Sequence, residues 1–239
     1  MKKIIKSSLE EQAAGYLREL ILSGHYRMGE KLVESALARE LELSRSTVRM
    51  ALNNLAHEGI VVQKPYVGWQ VIELDEHDLW EIFHLRVALE TRSAWLAAER
   101  LTDEGRRRLQ GMMDAFLEKA AEPNVSSQEM SKQELNLHSL IVELSGNGRL
   151  HNIYQNVANQ MLIYFNIDLV SYKPEEIASS HQPLVDAICA GDADLAVRLA
   201  GENITTFTEI GARFKAHALS GHKADTVGQS VPELTDEGK

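Results

Sequence analysis

The sequence contains a single cysteine, Cys189, so no disulfide can form within the chain. A lone thiol between Ile188 and Ala190 is typical of a buried, unreactive side chain in a reducing compartment. No apolar run is long enough for a membrane span, and the basic start at residues 1–6 leads straight into an amphipathic segment instead of a secretory signal. These absences predict a cytoplasmic protein without a membrane partner.

Basic residues are also scarce, with 25 Lys and Arg against 35 Asp and Glu and a net charge of −10. For the chain as a whole, this balance argues against nucleic acid as a partner. The first 73 residues, however, contain 10 of the basic and 9 of the acidic residues, which leaves 15 and 26 for the remainder. A near-neutral first part can still bind DNA through one basic face, and we expect it to need dimerisation for affinity.

The stretch 36–52, ALARELELSRSTVRMAL, is typical of two short helices joined by a tight turn. Apolar residues fall on one face of each helix, and Ser44 is placed to cap the second. The opposite face of that helix offers hydroxyl groups and two fixed cations, which suit phosphates and guanine edges in a DNA major groove. The candidate DNA contacts are Ser44, Arg45, Ser46, Thr47 and Arg49. An ordinary helical hairpin with a solvated polar face is the alternative.

Two β-rich runs follow, at 60–63 and 68–72, with a polar turn between them. Together with the helices before them, this hairpin signal predicts a winged helix-turn-helix over residues 1–74, made of three helices and a β-hairpin wing. Lys64 and Gly68 at the turn are further candidate DNA contacts. The alternative for the hairpin is simple structural cover.

From residue 75 onward the strand signals stop, and apolar residues recur at helical spacing. The pattern predicts a mainly α protein whose second part, 75–220, is an all-α bundle of six or seven helices. The first of these helices is expected at 79–101 with Asp78 as its cap, and the last at 192–217. Residues 221–239 lack aromatic side chains and contain several Gly, Asp and Glu, which predicts a disordered tail.

Short motifs follow one another in a fixed order between residues 9 and 72. They are Leu20-x-x-x-Gly24, Gly29-Glu30-x-Leu32, Leu37-Ala38, Ser44-Arg45-Ser46-Thr47-Val48-Arg49, Ala51-Leu52, Leu55, Glu58-Gly59 and Gly68-Trp69-x-Val71. With this series the first part resembles the GntR family of bacterial transcription regulators. Met28, Ser35, Glu42 and Met50 depart from the residues usual in that family, and none of them belongs to the Arg45, Thr47 and Arg49 set.

A second series of motifs lies between residues 78 and 210. It consists of Leu85-Arg86-x-x-Leu89-Glu90, Leu137-His138, Gly146-Asn147, His181-x-x-Leu184-x-x-Ala187-Ile188 and Gly191-Asp192-Ala193-x-x-Ala196. This part resembles the all-helical FCD domain of the FadR-like branch of those regulators. The resemblance implies a domain that binds an effector and forms the dimer.

Glu134 and His138 are four residues apart and therefore share one helix face, while His181 lies on a later helix. The resemblance implies that these three residues bind one divalent metal ion, zinc, nickel or manganese, beneath a small carboxylate effector. Asn203 stands where that family often has a third His, and an amide is a poor ligand for such ions. The alternative is a pair of hydrogen-bonded pocket histidines without a metal.

Arg86 is the residue that the resemblance assigns to the effector carboxylate, for which a planar guanidinium is well suited. Asn203 and Tyr164 are further candidates for effector binding. The alternative for Arg86 is a solvated pair with Glu90 on the helix surface.

These features predict a ligand-responsive DNA-binding transcription regulator, a repressor of a catabolic operon that a small carboxylate effector releases. Its expected partners are a palindromic operator in double-stranded DNA and a second copy of the chain. The alternative is a metal-dependent enzyme that uses Glu134, His138 and His181 and keeps the winged helix as an accessory.

Overall fold

The computed structural model of the chain describes residues 8–165 and 173–204. The described part is mainly helical with one small antiparallel sheet, as predicted. Its first elements are α1 (Leu9–Leu22), β1 (Lys31–Leu32), α2 (Glu34–Glu40), α3 (Arg45–His57), β2 (Val61–Lys64) and β3 (Gly68–Val71). The helices that follow are α4 (Glu76–Arg100), α5 (Asp103–Ala120), α6 (Ser127–Leu144), α7 (Gly148–Phe165), α8 (Pro174–Ala190) and α9 (Ala193–Ile204).

The wing has one strand more than the sequence indicated. β2 and β3 form the expected antiparallel hairpin, with Lys64 opposite Gly68. β1 pairs with the other edge of β3, with Leu32 opposite Trp69, and the strand order is β1-β3-β2. Because β1 has only two residues, it is too short to show the alternation of apolar and polar residues that indicates a strand. The extra strand places the start of α2 directly beside the wing.

The helix-turn-helix and the sheet share one apolar core. Val48, Leu52 and Leu55 on the inner face of α3 are fully buried against α1 and the sheet. Ile163 of α7 belongs to the same core. The helical bundle is therefore packed directly against the winged helix.

The predicted helices of the bundle are present, with one correction at the start of α4. Asp75, and not Asp78, is the N-cap: its side chain accepts from the Asp78 amide, while the Asp78 side chain accepts from the Asp75 amide. This reciprocal capping box starts the helix three residues earlier than its apolar pattern suggests. Thr102 is the N-cap of α5, and its hydroxyl oxygen accepts a hydrogen bond from the Gly105 amide at 3.1 Å.

Along its length α4 packs against α6, α8 and α9, so its inward side chains lie at the centre of the bundle. The predicted continuation of the last helix beyond residue 204 and the predicted tail at 221–239 lie outside the described residues. Within the described ranges, no helix is both long and apolar enough to span a membrane.

Candidate functional site

The start of α3 is held by the predicted serine cap. Ser44 has extended backbone angles, and its Oγ accepts a hydrogen bond from the Thr47 amide at 3.1 Å. The hydroxyl groups of Ser46 and Thr47 each lie 2.8 Å from Ser44 Oγ. Three hydroxyl groups are thus gathered at a helix N-terminus, where orphan amides and the helix dipole favour an anion such as a DNA phosphate.

The predicted DNA contacts on α3 lie on its outer face. Arg45, Ser46 and Arg49 are exposed and Thr47 is half-buried, while Val48 on the opposite face is fully buried. The helix therefore presents two guanidinium groups and its hydroxyl groups to solvent on one side. This is the arrangement that a recognition helix needs to enter a major groove.

Arg49 is not free in this structure, because Glu34 at the start of α2 holds it. Arg49 Nε donates to Glu34 Oε1 at 2.8 Å, and Nη2 donates to Oε2 at 2.7 Å. Trp69 Nε1, from β3 of the wing, donates to the same Oε1 at 3.0 Å. The hydrogen bond from Arg49 is the main cause that lowers the pKa of Glu34, so this carboxylate is charged at neutral pH. No pattern in the sequence indicated this role for Glu34.

The wing places its tip well outside the body of the protein. Tyr66 is fully exposed with a positive φ of 63°, and Gly68 has a φ of 96°, a conformation that glycine adopts without strain. Lys64 is half-buried and pairs with Glu73, with 2.9 Å between Nζ and Oε2. Lys64 and Gly68 thus stand next to the exposed tip, as the hairpin prediction required.

Inside the bundle, Arg86 and Glu90 form a buried ion pair on α4. Arg86 Nε donates to Glu90 Oε1 at 2.6 Å, and the two side chains are only 3% and 2% exposed. The alternative of a solvated surface pair is therefore wrong. Burial opposes the charged form of Glu90, but Arg86 and His138 outweigh burial and lower the pKa of this carboxyl.

The ion pair continues into the two predicted histidines. His138 Nδ1 on α6 lies 2.6 Å from Glu90 Oε2, a separation at which the ring nitrogen must carry a proton. His181 Nδ1 on α8 lies 2.8 Å from the backbone oxygen of Ile177, which can only accept. Both Nδ1 atoms are therefore donors, and in the neutral rings both Nε2 atoms carry lone pairs.

Those two lone pairs point at each other. His138 Nε2 and His181 Nε2 are 3.1 Å apart, and burial lowers the pKa of His181, which favours its neutral form. Two neutral acceptors at this distance repel unless a proton or a cation lies between them. Ligand nitrogens bound at about 2.0–2.1 Å to one ion are separated by about this distance.

Glu134 completes a set of three side chains that suits a metal ion. One ligand atom from each of Glu134, His138 and His181 lies within 4.8 Å of the other two. Hydrogen bonding of the second ring nitrogen to a carboxylate or a carbonyl is the usual support of a metal-binding His. Glu90 and Ile177 stand in that position here. The residues present therefore fit the metal that the resemblance implies.

Several buried polar atoms around this cluster lack a hydrogen bond of good geometry within the described ranges. They include Arg86 Nη2 and the Tyr154 hydroxyl on α7, which lies close to Glu90. Both can donate, and burial raises the pKa of Tyr154, so its hydroxyl keeps its proton. A buried group without a good hydrogen bond costs about 1–3 kcal/mol, which an oxygen-rich ligand would recover. Tyr154 was missed because helical spacing alone does not separate pocket residues from core residues.

Asn203 and Tyr164 are the two other residues predicted to bind the effector. Asn203 is half-buried near the end of the described part of α9, and its contact with an effector stays a prediction. The side chain of Tyr164 lies outside the described residues. Open clefts of about 810 and 670 Å³ are lined by other residues and include neither Arg86 nor the two histidines. The side chains of Arg86, Glu90, His138 and His181 are almost fully buried, so these four groups are closed off from solvent.

A recognition helix with a wing, packed against a helical bundle with a buried polar cluster, defines the class of DNA-binding transcription regulators with a separate sensing domain. Residues 9–71 match the bacterial regulatory proteins of the gntR family, and residues 81–206 match the FCD domain. The chain belongs to the GntR family and carries an FCD domain, as the sequence motifs indicated.

Relatives with named functions are transcription regulators as well, which favours regulation over catalysis. The Nta operon transcriptional regulator of Aminobacter aminovorans is 30% identical over 142 residues, which make up 59% of this chain and 66% of that protein. The gluconate operon transcriptional repressor of Bacillus subtilis is 29% identical over 210 residues, 84% of each chain. A GntR transcriptional regulator from Rhodococcus sp. RHA1 has a solved structure that superposes with a TM-score of 0.71 at 22% identity and covers 88% of this chain and 99% of that one. That last likeness concerns the fold alone.

Proposed function

We propose that the chain is a dimeric repressor that binds a palindromic operator and dissociates from it when a small carboxylate effector binds. The observation that carries this proposal is the course of α7. Tyr154 on this helix belongs to the buried polar cluster, and Ile163, farther along it, is part of the core of the winged helix. One helix thus joins the candidate sensing site to the DNA-binding part.

The outer face of α3 is proposed to enter the major groove. Arg45 and Arg49 would contact base edges or phosphates there, while Ser44, Ser46 and Thr47 would hold a phosphate at the helix start. Lys64 and Gly68 of the wing would approach the neighbouring backbone. The near-neutral charge of the first 73 residues makes a single copy a weak binder, so two copies on two half-sites are needed.

Exposed apolar residues support a second copy of the chain as partner. Trp80 and Leu85 on α4 and Ile153 on α7 are large apolar residues with 58%, 42% and 50% of their surface exposed. Exposed apolar residues mark an interface where they form one contiguous patch. We propose that these three residues belong to such a patch in the dimer contact.

The effector is proposed to bind where the buried polar cluster lacks hydrogen-bond partners. Arg86 Nη2 and the Tyr154 hydroxyl are donors, and an anion with two oxygens can accept from both of them. Glu134, His138 and His181 would hold a divalent metal ion, which supplies positive charge and open positions for an effector oxygen. The name of the Bacillus subtilis relative, a gluconate repressor, agrees with a sugar acid or a related carboxylate as effector.

Release from DNA requires that the effector changes how α7 holds the winged helix. Gln160 Nε2 donates to the backbone oxygen of Gly59 at 3.1 Å, just beyond the C-terminal end of α3. A shift of α7 that follows binding at Tyr154 would therefore reach the end of the recognition helix. The effector would favour a dimer whose two α3 helices no longer match the operator spacing.

Thermal unfolding of the purified full-length protein tests the effector site. We expect one or more acids from a panel of sugar acids, hydroxy acids and dicarboxylates, gluconate included, to raise the Tm of the wild type. Tyr154→Phe, which removes only a hydroxyl group, should fold normally and respond less. If no acid of the panel raises the Tm, or if Tyr154→Phe responds like the wild type, the proposed site is wrong.

A further inference from the structure

Glu34 is an acidic side chain placed among groups that are expected to contact an anionic polymer. It accepts both hydrogen bonds of the Arg49 fork, and the charge of Arg45 also contributes to lowering its pKa. Its side chain is 20% exposed, whereas that of Arg49 is 61% exposed. A fixed negative charge here weakens attraction to phosphates, so its presence calls for a different explanation.

The way in which Glu34 binds the Arg49 guanidinium explains why an acidic residue is present here. Glu34 takes the side of the guanidinium formed by Nε and Nη2, and the end formed by Nη1 and the outer hydrogen of Nη2 remains available. That end carries two parallel N–H donors, which is enough for a bidentate contact to the O6 and N7 atoms of guanine. Glu34 therefore leaves the base-reading end of Arg49 open while it fixes the direction in which this end points.

Glu34 is itself held in place. Trp69 Nε1 donates to its Oε1 at 3.0 Å, and Trp69 is 4% exposed in the core beneath the wing. Three elements, the start of α2, the recognition helix and the wing, thus meet at one carboxylate. A long, exposed Arg side chain loses rotamer freedom through this contact before DNA arrives, which reduces the entropic cost of reading a base.

From this geometry we infer that Glu34 is a positioning residue that sets the base preference read by Arg49. The inference rests on the proposed use of α3 as the recognition helix. The Glu34–Arg49 pair has a net charge close to zero, so Arg49 contributes mainly to the specificity for a base sequence. Arg45 supplies the positive charge that attracts the phosphates. Glu34→Gln is expected to keep or slightly raise affinity for arbitrary DNA while it lowers discrimination.

Selection from a randomised duplex library with sequencing of the bound DNA tests this inference. Full-length wild type, Arg49→Ala, Glu34→Gln and Trp69→Phe are compared. Glu58→Gln is the matched control, because Glu58 also accepts a two-bonded Arg fork, from Arg18 at 2.5 Å, within the same winged helix. Thermal unfolding of each variant establishes that it is folded.

The wild type should enrich a motif that loses its preference at particular base pairs in Arg49→Ala. Glu34→Gln should lose preference at those same base pairs, by roughly five- to hundredfold in the ratio of selected to unselected DNA, and keep the rest of the motif. Trp69→Phe should show a smaller loss at the same positions, and serves in place of Glu34→Gln if that variant does not fold. Glu58→Gln should select the wild-type motif.

Three outcomes would overturn the inference, and they differ from one another. If Arg49→Ala changes the motif but Glu34→Gln and Trp69→Phe do not, only the positioning role fails. If Glu34→Gln binds the unchanged motif more tightly, Glu34 masks Arg49 instead of directing it. If Arg49→Ala selects the wild-type motif, or the wild type selects none, the proposed recognition by α3 fails and the inference with it.

Discussion

His138 Nε2 and His181 Nε2 face each other at 3.1 Å, while the Nδ1 atom of each ring already donates to an oxygen. Two neutral rings in this arrangement repel each other, and a proton or a cation between the two Nε2 atoms removes the repulsion. With Glu134 nearby, this relationship is a stronger indication of a metal site than the spacing of the three residues in the sequence.

The purified protein is therefore expected to retain about one equivalent of zinc, nickel or manganese after dialysis. His138→Ala should lose this metal, as measured by elemental analysis alongside native mass spectrometry. His84→Ala, which changes an exposed His on α4, is the control and should keep it. Equal metal content in His138→Ala and wild type would show that these histidines only hydrogen-bond.

Removing one member of the Arg86–Glu90 pair is expected to be costly. In Arg86→Met the Glu90 carboxylate would stay buried with His138 but without its guanidinium, and breaking a buried ion pair typically costs about 3–5 kcal/mol in the free energy of unfolding. Arg86→Met should show this loss in chemical denaturation. The double variant Arg86→Met, Glu90→Leu should recover part of it, because no unpaired charge is left behind. Additive losses would indicate that the two side chains are not coupled.

A side chain at Gly59 would have to displace the Gln160 amide of α7. Gly59 has a φ of 74°, and a Cβ atom built there would lie 2.7 Å from Gln160 Nε2. Gly59→Ala is therefore expected to lower the free energy of unfolding by about 1–3 kcal/mol from backbone strain, with the steric clash in addition. Adding Gln160→Ala to Gly59→Ala should relieve the steric clash but not the backbone strain. A double-mutant cycle, with the free energy of unfolding measured by denaturation, would separate the two effects. Full additivity of the two changes would argue against direct contact.

Loss of the α3 cap is expected to weaken the winged helix. Ser44→Ala removes the acceptor of the Thr47 amide and should cost about 1 kcal/mol in the free energy of unfolding. Ser46→Ala is the control, since this exposed hydroxyl group accepts no backbone amide among the described hydrogen bonds. Equal stabilities of the two variants would contradict the capping role.

Much of the fold was predictable because local signals and burial agreed. The Ser44 cap, the inner face of α3 and the hairpin at 61–71 all follow from patterns within short stretches of the sequence. The start of α4 was misassigned because two aspartates three residues apart can each be read as a cap. β1 was missed because two residues carry no periodicity.

The candidate sites were predictable only where one helix carries the pattern. Glu134 and His138 share a helix turn, but the roles of Glu90, Tyr154 and Glu34 depend on contacts between distant elements. Glu90 was considered only in the alternative, as a surface partner of Arg86, since spacing along a helix does not indicate which face is buried. Glu34 precedes Arg49 by fifteen residues, and only the packing of α2 on α3 brings them together.

The most direct test of DNA recognition by α3 is a comparison of DNA affinities. The wild type, Arg45→Ala and Arg49→Ala are titrated with the duplex that the wild type selects, and binding is measured by fluorescence anisotropy at fixed salt. Both variants should bind at least about tenfold more weakly while their circular dichroism and Tm stay unchanged. Wild-type affinity in both folded variants would contradict the assignment of this helix to the DNA.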